Sequence, residues 1–498
     1  MSAERPLPTP SDEPLLCFNG IDGRTGGYLL SPAPLRRLAD AARGGSADWA
    51  QARELQAWVR RSGGKATRGL KEGLDPCRLD EAGWGVVFPQ GTGKEGLREA
   101  LAPLLDHRRS QAGDRFREFA GDDGYRAGET KVAFLARHGA GPGPADPEKV
   151  PYYLLLVGDP EVIPFSFQYQ LDVQYAVGRL HLESLEAYRS YAESVVAAES
   201  GRVERSRRAA FFAPANTGDP ATGMTRTYLA QPMAEQARRE QPGWTVETAL
   251  GEEATHARLG SLLGGPTGAG AGAGAGEAAP ALLFTACHGL SFPSGDPLQR
   301  SQQGALVCQD WPGPAAGGIE RGQYFAAADV GDEARVEGLV AFCFACFGAG
   351  TPRWDELADD RGGERRGERR ALAPEAFLGR LPQRLLGHPR GGALAVVGHV
   401  DRAWGFSFAW AGAGPQTAAF DGALRRLLAG QPVGWAMDLF NQRYAELASD
   451  LAAEREQLEL GKTPDDAVLA DLWAASRDAR NYTILGDPAV RVAVGKPD

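Results

Sequence analysis

One form recurs along the 498 residues and constrains the fold more than any other feature: a continuous apolar run closed by a turn or by a reactive side chain. Residues 152–157 (YYLLLV) end at Gly158-Asp159-Pro160, and residues 281–286, 339–346 and 393–398 repeat the pattern. A run with no polar alternation is what a strand looks like when both of its faces are covered, as in a parallel sheet. Shorter runs lie at 85–88, 177–180 and 209–212. Between them, helical spacing is predicted over 94–118 (Leu97, Leu101, Leu104, Leu105), 183–199, 225–240, 373–386 and 417–428, with an earlier stretch at 34–61. Strands alternating with helices give an α/β fold, a mostly parallel sheet sandwiched by helices, and ligands in such sheets bind beyond the carboxyl ends of the strands.

Composition narrows the function classes. Apolar residues are 43% and charged residues 24% of the chain, which excludes wholesale disorder. A formal charge of −10 makes a poor general binder of nucleic acid or anionic membrane. The longest apolar runs are far too short to span a bilayer. The N-terminal residues lack the basic start and apolar core of a secretory signal, so the expected compartment is the cytoplasm. The six cysteines, Cys17, Cys77, Cys287, Cys308, Cys343 and Cys346, are then expected as free thiols. Residues 264–276 (Gly/Ala-rich) and 359–370 (DDRGGERRGERR) read as loops. The phosphate-loop signature is absent.

Two of the runs end in reactive groups: ALLFTA before Cys287-His288-Gly289, and LVAFCFA before Cys346-Phe347-Gly348. As neighbouring parallel strands they would deliver His288 and Cys346 side by side at one sheet edge. A thiol needs an imidazole beside it to lose its proton and to protonate a leaving amine. The N–H groups of Gly289 and Cys346 would serve as an oxyanion hole, and the missing side chain of Gly289 would let a substrate backbone approach.

Taken in colinear order, these blocks resemble the caspase-like cysteine peptidases, above all the gingipain-like branch. Residues 150–165 (VPYYLLLVGDPEVIPF) and 176–180 (AVGRL) are similar to its first subdomain, 392–405 (GALAVVGHVDRAWG) to the strand after the nucleophile, and 481–492 (NYTILGDPAVRV) to its terminal block. The resemblance covers about residues 85–492 and implies two subdomains, 80–200 and 201–498, after an N-terminal extension, 1–79, of unknown role. It implies a cysteine endopeptidase that uses no cofactor or metal and acts on protein or peptide substrates. It places an acid near the catalytic histidine at Glu161 and an S1 acid for a basic P1 residue at Asp172, with Asp401 as a rival and Trp404 as a pocket wall. The cytoplasmic relatives in this class are CHAT-type proteases, so the resemblance also implies a regulated bacterial defence or cell-death effector with a regulatory protein partner. Self-cleavage within 361–370 would accompany activation.

Two rivals stand beside this reading. Cys343-x-x-Cys346 has the spacing of half a zinc site or of a redox pair, with Cys287 and His288 as further ligands; residues three apart in a strand, however, point to opposite faces. The other is a catalytically idle caspase-like scaffold that binds a protein partner. His399 follows its strand either as a structural histidine or in support of the site. The insertion 291–336 between His288 and Cys346 reads as a lid, a substrate loop or a regulatory contact.

Overall fold

The structure is a computed structural model that describes residues 15–16, 20–29, 33–34, 39, 42, 69–91, 95–265, 277–356, 370–410, 413–462 and 465–495. A short strand β1 (Ile21–Asp22) precedes the body of the protein. The body is built on strands β2 (Trp84–Val87), β3 (Phe116–Phe119), β4 (Tyr153–Val157), β5 (Ala176–Leu180), β6 (Arg208–Ala213), β7 (Thr245–Leu250) and β8 (Leu282–Ala286). After a short β9 (Leu290–Ser291) come β10 (Val340–Phe344), β11 (Ala395–His399) and β12 (Tyr482–Gly486). Ten of them form one sheet in the order β3-β2-β4-β5-β12-β11-β10-β8-β6-β7.

The expected α/β class with a mostly parallel sheet is what the structure contains. Every neighbouring pair is parallel but one: β11 and β12 run antiparallel, His399 opposite Tyr482. β12 therefore begins at the edge where β8, β10 and β11 end, and it joins the two sets of strands on either side of it.

The central strands are buried along their whole length because helices cover both faces. Beneath β8, β10 and β12, Phe284, Phe342, Phe420, Phe440 and Tyr482 interlock with ring centroids 4.5–6.3 Å apart. Burying each such side chain stabilises the fold by about 1.5–3 kcal/mol. At the opposite edge, Asp487 just past β12 is fully buried and accepts from the Trp84 indole N–H (2.9 Å) and from Arg108 Nε (2.7 Å).

Some local expectations change. The helix read over 94–118 stops at Ala112, because Gly113 turns the chain at φ 54°, and Phe116–Phe119 becomes the edge strand β3. β7 at the other edge (TVETAL) is only half covered, which is why it lacks an apolar run. The insertion after β9 packs back on the body through a two-strand ribbon, Leu306–Val307 with Tyr324–Phe325. Residues 266–276 and 361–369 lie outside the described residues, and with them nearly all of the loop expected to be self-cleaved.

Candidate active site

β8 and β10 are adjacent and parallel, with Ala286 opposite Phe344. Two residues beyond that pair stand His288 and Cys346, so register alone brings them to one level at the edge. The loops that carry them are packed on one another. A methyl group on Gly289 would lie 1.9 Å from the carbonyl oxygen of Cys346. Gly289 is thus glycine because the histidine loop lies on the Cys346 peptide, a packing reason rather than the substrate-approach reason expected. Neither the N–H of Gly289 nor that of Cys346 has an acceptor among the described residues.

Cys346 closes a strained turn. Phe347 and Asp401 are the non-glycine residues with positive φ among those described (57° and 77°). They hold one another, the Phe347 N–H donating to the Asp401 carbonyl at 2.7 Å. Side chains of this kind in the left-handed region cost free energy and mark sites that the surroundings enforce. The Cys346 thiol accepts from the Ala403 N–H at 3.2 Å. It is 0% exposed, and burial pushes it up to about 12. Cys343 points elsewhere, its thiol facing Thr285, so Cys343 and Cys346 do not converge. Burial also raises the thiols of Cys287, Cys308 and Cys343.

Both nitrogens of His288 are engaged. Nδ1 accepts from the backbone N–H of Gly20 at 2.8 Å, so the ring proton sits on Nε2, which donates to Asp219 Oδ2 at 2.7 Å. Asp219 follows β6 and caps the helix Pro220–Thr225 through the N–H groups of Ala221 and Thr222. Its oxygens also accept from Thr222 Oγ1 (2.6 Å) and Tyr28 Oη (2.8 Å). Burial alone would raise this carboxyl, but His288, Thr222 and Tyr28 outweigh it and hold it well below the usual carboxylate range. Tyr28 and Trp311 stand edge-on to the imidazole at 6.0 and 5.9 Å.

The residue on His288 is thus Asp219, not Glu161. Glu161 follows the carboxyl end of β4, and its carboxylate is taken up by the N–H of Ala376 at 2.6 Å, beside the Phe377–Leu378 segment that pairs with Gly350–Thr351. Asp172 is 9% exposed. Burial raises its carboxyl well above the usual range, against the N–H of Val177 and the more distant charge of Arg179. It has no salt bridge among the described residues. Its neighbour Val173 is buried in one cluster with Trp404, Phe406 and Trp473, so Trp404 stands near it. Asp401, the rival, is already engaged: Arg402 lies 3.3 Å from its carboxylate and pairs with Asp355 at 2.9 and 3.0 Å. His399 is a structural residue, its Nε2 3.0 Å from the Asp478 carbonyl.

Asp219 escaped the sequence reading, although Asp before Pro is a helix-start signal. Its second role, reaching a histidine 69 residues away, leaves no local trace.

No family model matches the sequence, and no curated protein matches it. Among solved structures the chain is similar to a protease at 14% identity over 82% of this chain and 78% of that one, with a TM-score of 0.44. It is also similar to RgpB of Porphyromonas gingivalis, solved as a complex of its pro- and mature domains, at 13% identity over 82% and 79% of the two chains and a TM-score of 0.39.

Proposed function

We propose that the chain is a cysteine endopeptidase acting through Cys346 and His288, with Asp219 orienting the histidine, and that it cleaves after Arg or Lys. The observation that carries this reading is the level placement of His288 and Cys346 on adjacent parallel strands, with Asp219 fixing the far ring nitrogen. With the proton held on Nε2, Nδ1 is the free base. It takes the thiol proton, and the thiolate adds to the scissile carbonyl. The oxyanion is received by the N–H groups of Gly289 and Cys346, which have no other acceptor among the described residues. The imidazolium, stabilised by the Asp219 carboxylate, returns the proton to the leaving amine. Water, deprotonated by the same nitrogen, then hydrolyses the thioester and regenerates the thiol.

The basic preference rests on Asp172. A buried carboxyl without an ion-pair partner is costly, and a P1 guanidinium or ammonium would supply the partner that the folded chain withholds. The aromatic face of Trp404 suits the stem of such a side chain.

A P1-scanning library of fluorogenic peptides, run with the wild type and Cys346→Ala, tests both halves. Turnover surviving in Cys346→Ala would sink the nucleophile; selection for Asp, Leu or a small P1 residue would sink the assignment of Asp172. A protein that turns over nothing, even with its cleft opened as described next, would be the partner-binding scaffold instead.

A further inference from the structure

Residues 20–29 (GIDGRTGGYL) fold as a tight hairpin directly over the dyad. Ile21 faces Tyr28 across it, the Asp22 N–H donates to Gly27 (2.8 Å), and the Leu29 N–H donates to Gly20 (3.0 Å). The Asp22 carboxylate caps the turn through the N–H groups of Arg24 and Thr25, each at 2.8 Å. Strand β1 of this hairpin lies parallel to β9, just after His288-Gly289. The Ile21 N–H donates to the Gly289 carbonyl (3.2 Å) and the Gly23 N–H to Ser291 (2.8 Å). Main-chain pairing with a short strand edge is how an extended peptide is bound by a sheet. Ile21 is fully buried with Leu290, Phe292, Val307 and Trp311, so the insertion after β9 builds the pocket that receives it.

The position of Gly20 is the telling part. Its N–H donates to His288 Nδ1 at 2.8 Å, where the departing amine of a cleaved peptide must stand to collect its proton. A side chain on Gly20 would come within 3.1 Å of Cys346 Sγ and 2.6 Å of Leu29, and φ there is 109°. Only glycine fits between base and nucleophile, and with it in place both His288 and Cys346 are 0% exposed.

We propose that the 20–29 hairpin is a built-in plug that occupies the leaving-group side of the cleft, so that the chain as folded is latent and peptide enters only once the hairpin is displaced. The proposal rests on the Cys346–His288 reading above. The plug is held by contacts that can be exchanged. They are a two-residue ladder, one apolar anchor at Ile21, the Tyr28 hydroxyl on Asp219, and an Arg24–Asp296 pair whose arginine is half exposed. A prime-side peptide offering an amide and an apolar residue after it would make the first two equally well.

Two variants of the full chain release the hairpin without touching the dyad. At Gly26, φ is 66° and a side chain would lie 1.9 Å from the Gly317 carbonyl oxygen, so Gly26→Leu cannot seat. Ile21→Asp places a carboxylate in the apolar pocket. Alkylation of Cys346 by iodoacetamide, read by peptide mass spectrometry, is compared with turnover of the fluorogenic library, and thermal melts confirm folding. Cys346 is expected to react at least ~10-fold faster in both variants, since reactivity scales with the fraction of open molecules, and turnover is expected to rise with it. Wild-type Cys346 that reacts as fast as in denaturant, or labelling unchanged in both folded variants, overturns the plug. Faster labelling without turnover upholds the plug as a cover and overturns the peptidase reading instead.

Discussion

Replacing Asp219 with Asn tests the arrangement of the site at its least obvious member. The carboxylate accepts from His288 Nε2 at 2.7 Å and from Thr222 Oγ1 at 2.6 Å, both on Oδ2, while Oδ1 accepts from Tyr28. An amide of the same shape can still cap the helix with its oxygen. It must then present an NH2 group to Nε2, which drives the ring proton to Nδ1, the nitrogen that has to receive the thiol proton. The variant loses both the correct tautomer and the charge that stabilises the imidazolium. Losses of this kind reach about 10²–10⁴ in kcat, or roughly 2.7–5.5 kcal/mol of barrier. The assay is kcat on a fluorogenic peptide in the Gly26→Leu background, with Glu161→Gln as a control that should leave kcat unchanged. Stability gives a second readout with a definite sign. The Asp219 carboxyl is held below its usual range, so its contribution is present above the ordinary carboxylate range and is lost as pH falls through the folded value. The wild type should therefore lose stability more steeply than Asp219→Asn on acidification. A folded Asp219→Asn with kcat within about threefold of its parent would refute the role given to this residue.

Three further substitutions probe other parts. Gly289→Ala forces a methyl against the Cys346 carbonyl oxygen. It should cost about 1–3 kcal/mol of stability and, through a shift of order 1 Å at the nucleophile, on the order of 100-fold in kcat; a variant that melts and turns over like its parent would contradict the packing. Asp172→Asn should remove about 2–5 kcal/mol of selectivity for basic P1 residues while raising the neutral-pH melting temperature. A carboxyl held above its usual range stabilises only while protonated, and that contribution is lost as pH rises through the folded value; unchanged Arg/Lys preference would end its assignment to the pocket. Asp487→Ala leaves Arg108 with Glu199 as its only carboxylate among the described residues, beside Gln111, and takes away the acceptor of the Trp84 indole N–H. It should destabilise by about 3–5 kcal/mol in denaturant titrations; an unchanged midpoint would show that Asp487 is no anchor.

The dyad was legible in the sequence because two features coincide in each of its blocks. The apolar runs before His288 and Cys346 are of matching length, so any parallel pairing that buries both ends them together. The 20–29 hairpin went unread, although Asp22-Gly23 and Gly26-Gly27 between Ile21 and Tyr28 are turn dipeptides, because nothing in those letters says where such a turn docks. Glu161 was placed near the histidine by the resemblance, at the position after the apolar strand that ends in Gly-Asp-Pro. Its carboxylate is instead taken by the Ala376 N–H, a contact between distant segments that periodicity does not carry. Trp404 and Asp172 are distant in sequence, and only the fold brings Trp404 into one cluster with Val173, the neighbour of Asp172.

The antiparallel strand also bears on how the molecule comes into being. β12 lies in the interior of the sheet, between β5 and β11, yet it comes last in the chain among the ten strands. Until residues 482–486 leave the ribosome, the two sets of strands have open edges facing each other and no common sheet. The wall around the site is unfinished for the same reason, since Asp478 and Tyr482 arrive with that segment. Asp478 accepts the N–H of Trp404 at 2.9 Å, and Tyr482 meets Ser407 at 2.6 Å. At about 5–20 residues per second, the stretch between Cys346 and β12 occupies the ribosome for roughly 7–27 s, during which the nascent chain carries Cys346 but not the completed cleft. The 20–29 hairpin, by contrast, precedes every strand of the ten-stranded sheet in the chain, so the order of translation supplies the proposed plug before the edge it covers.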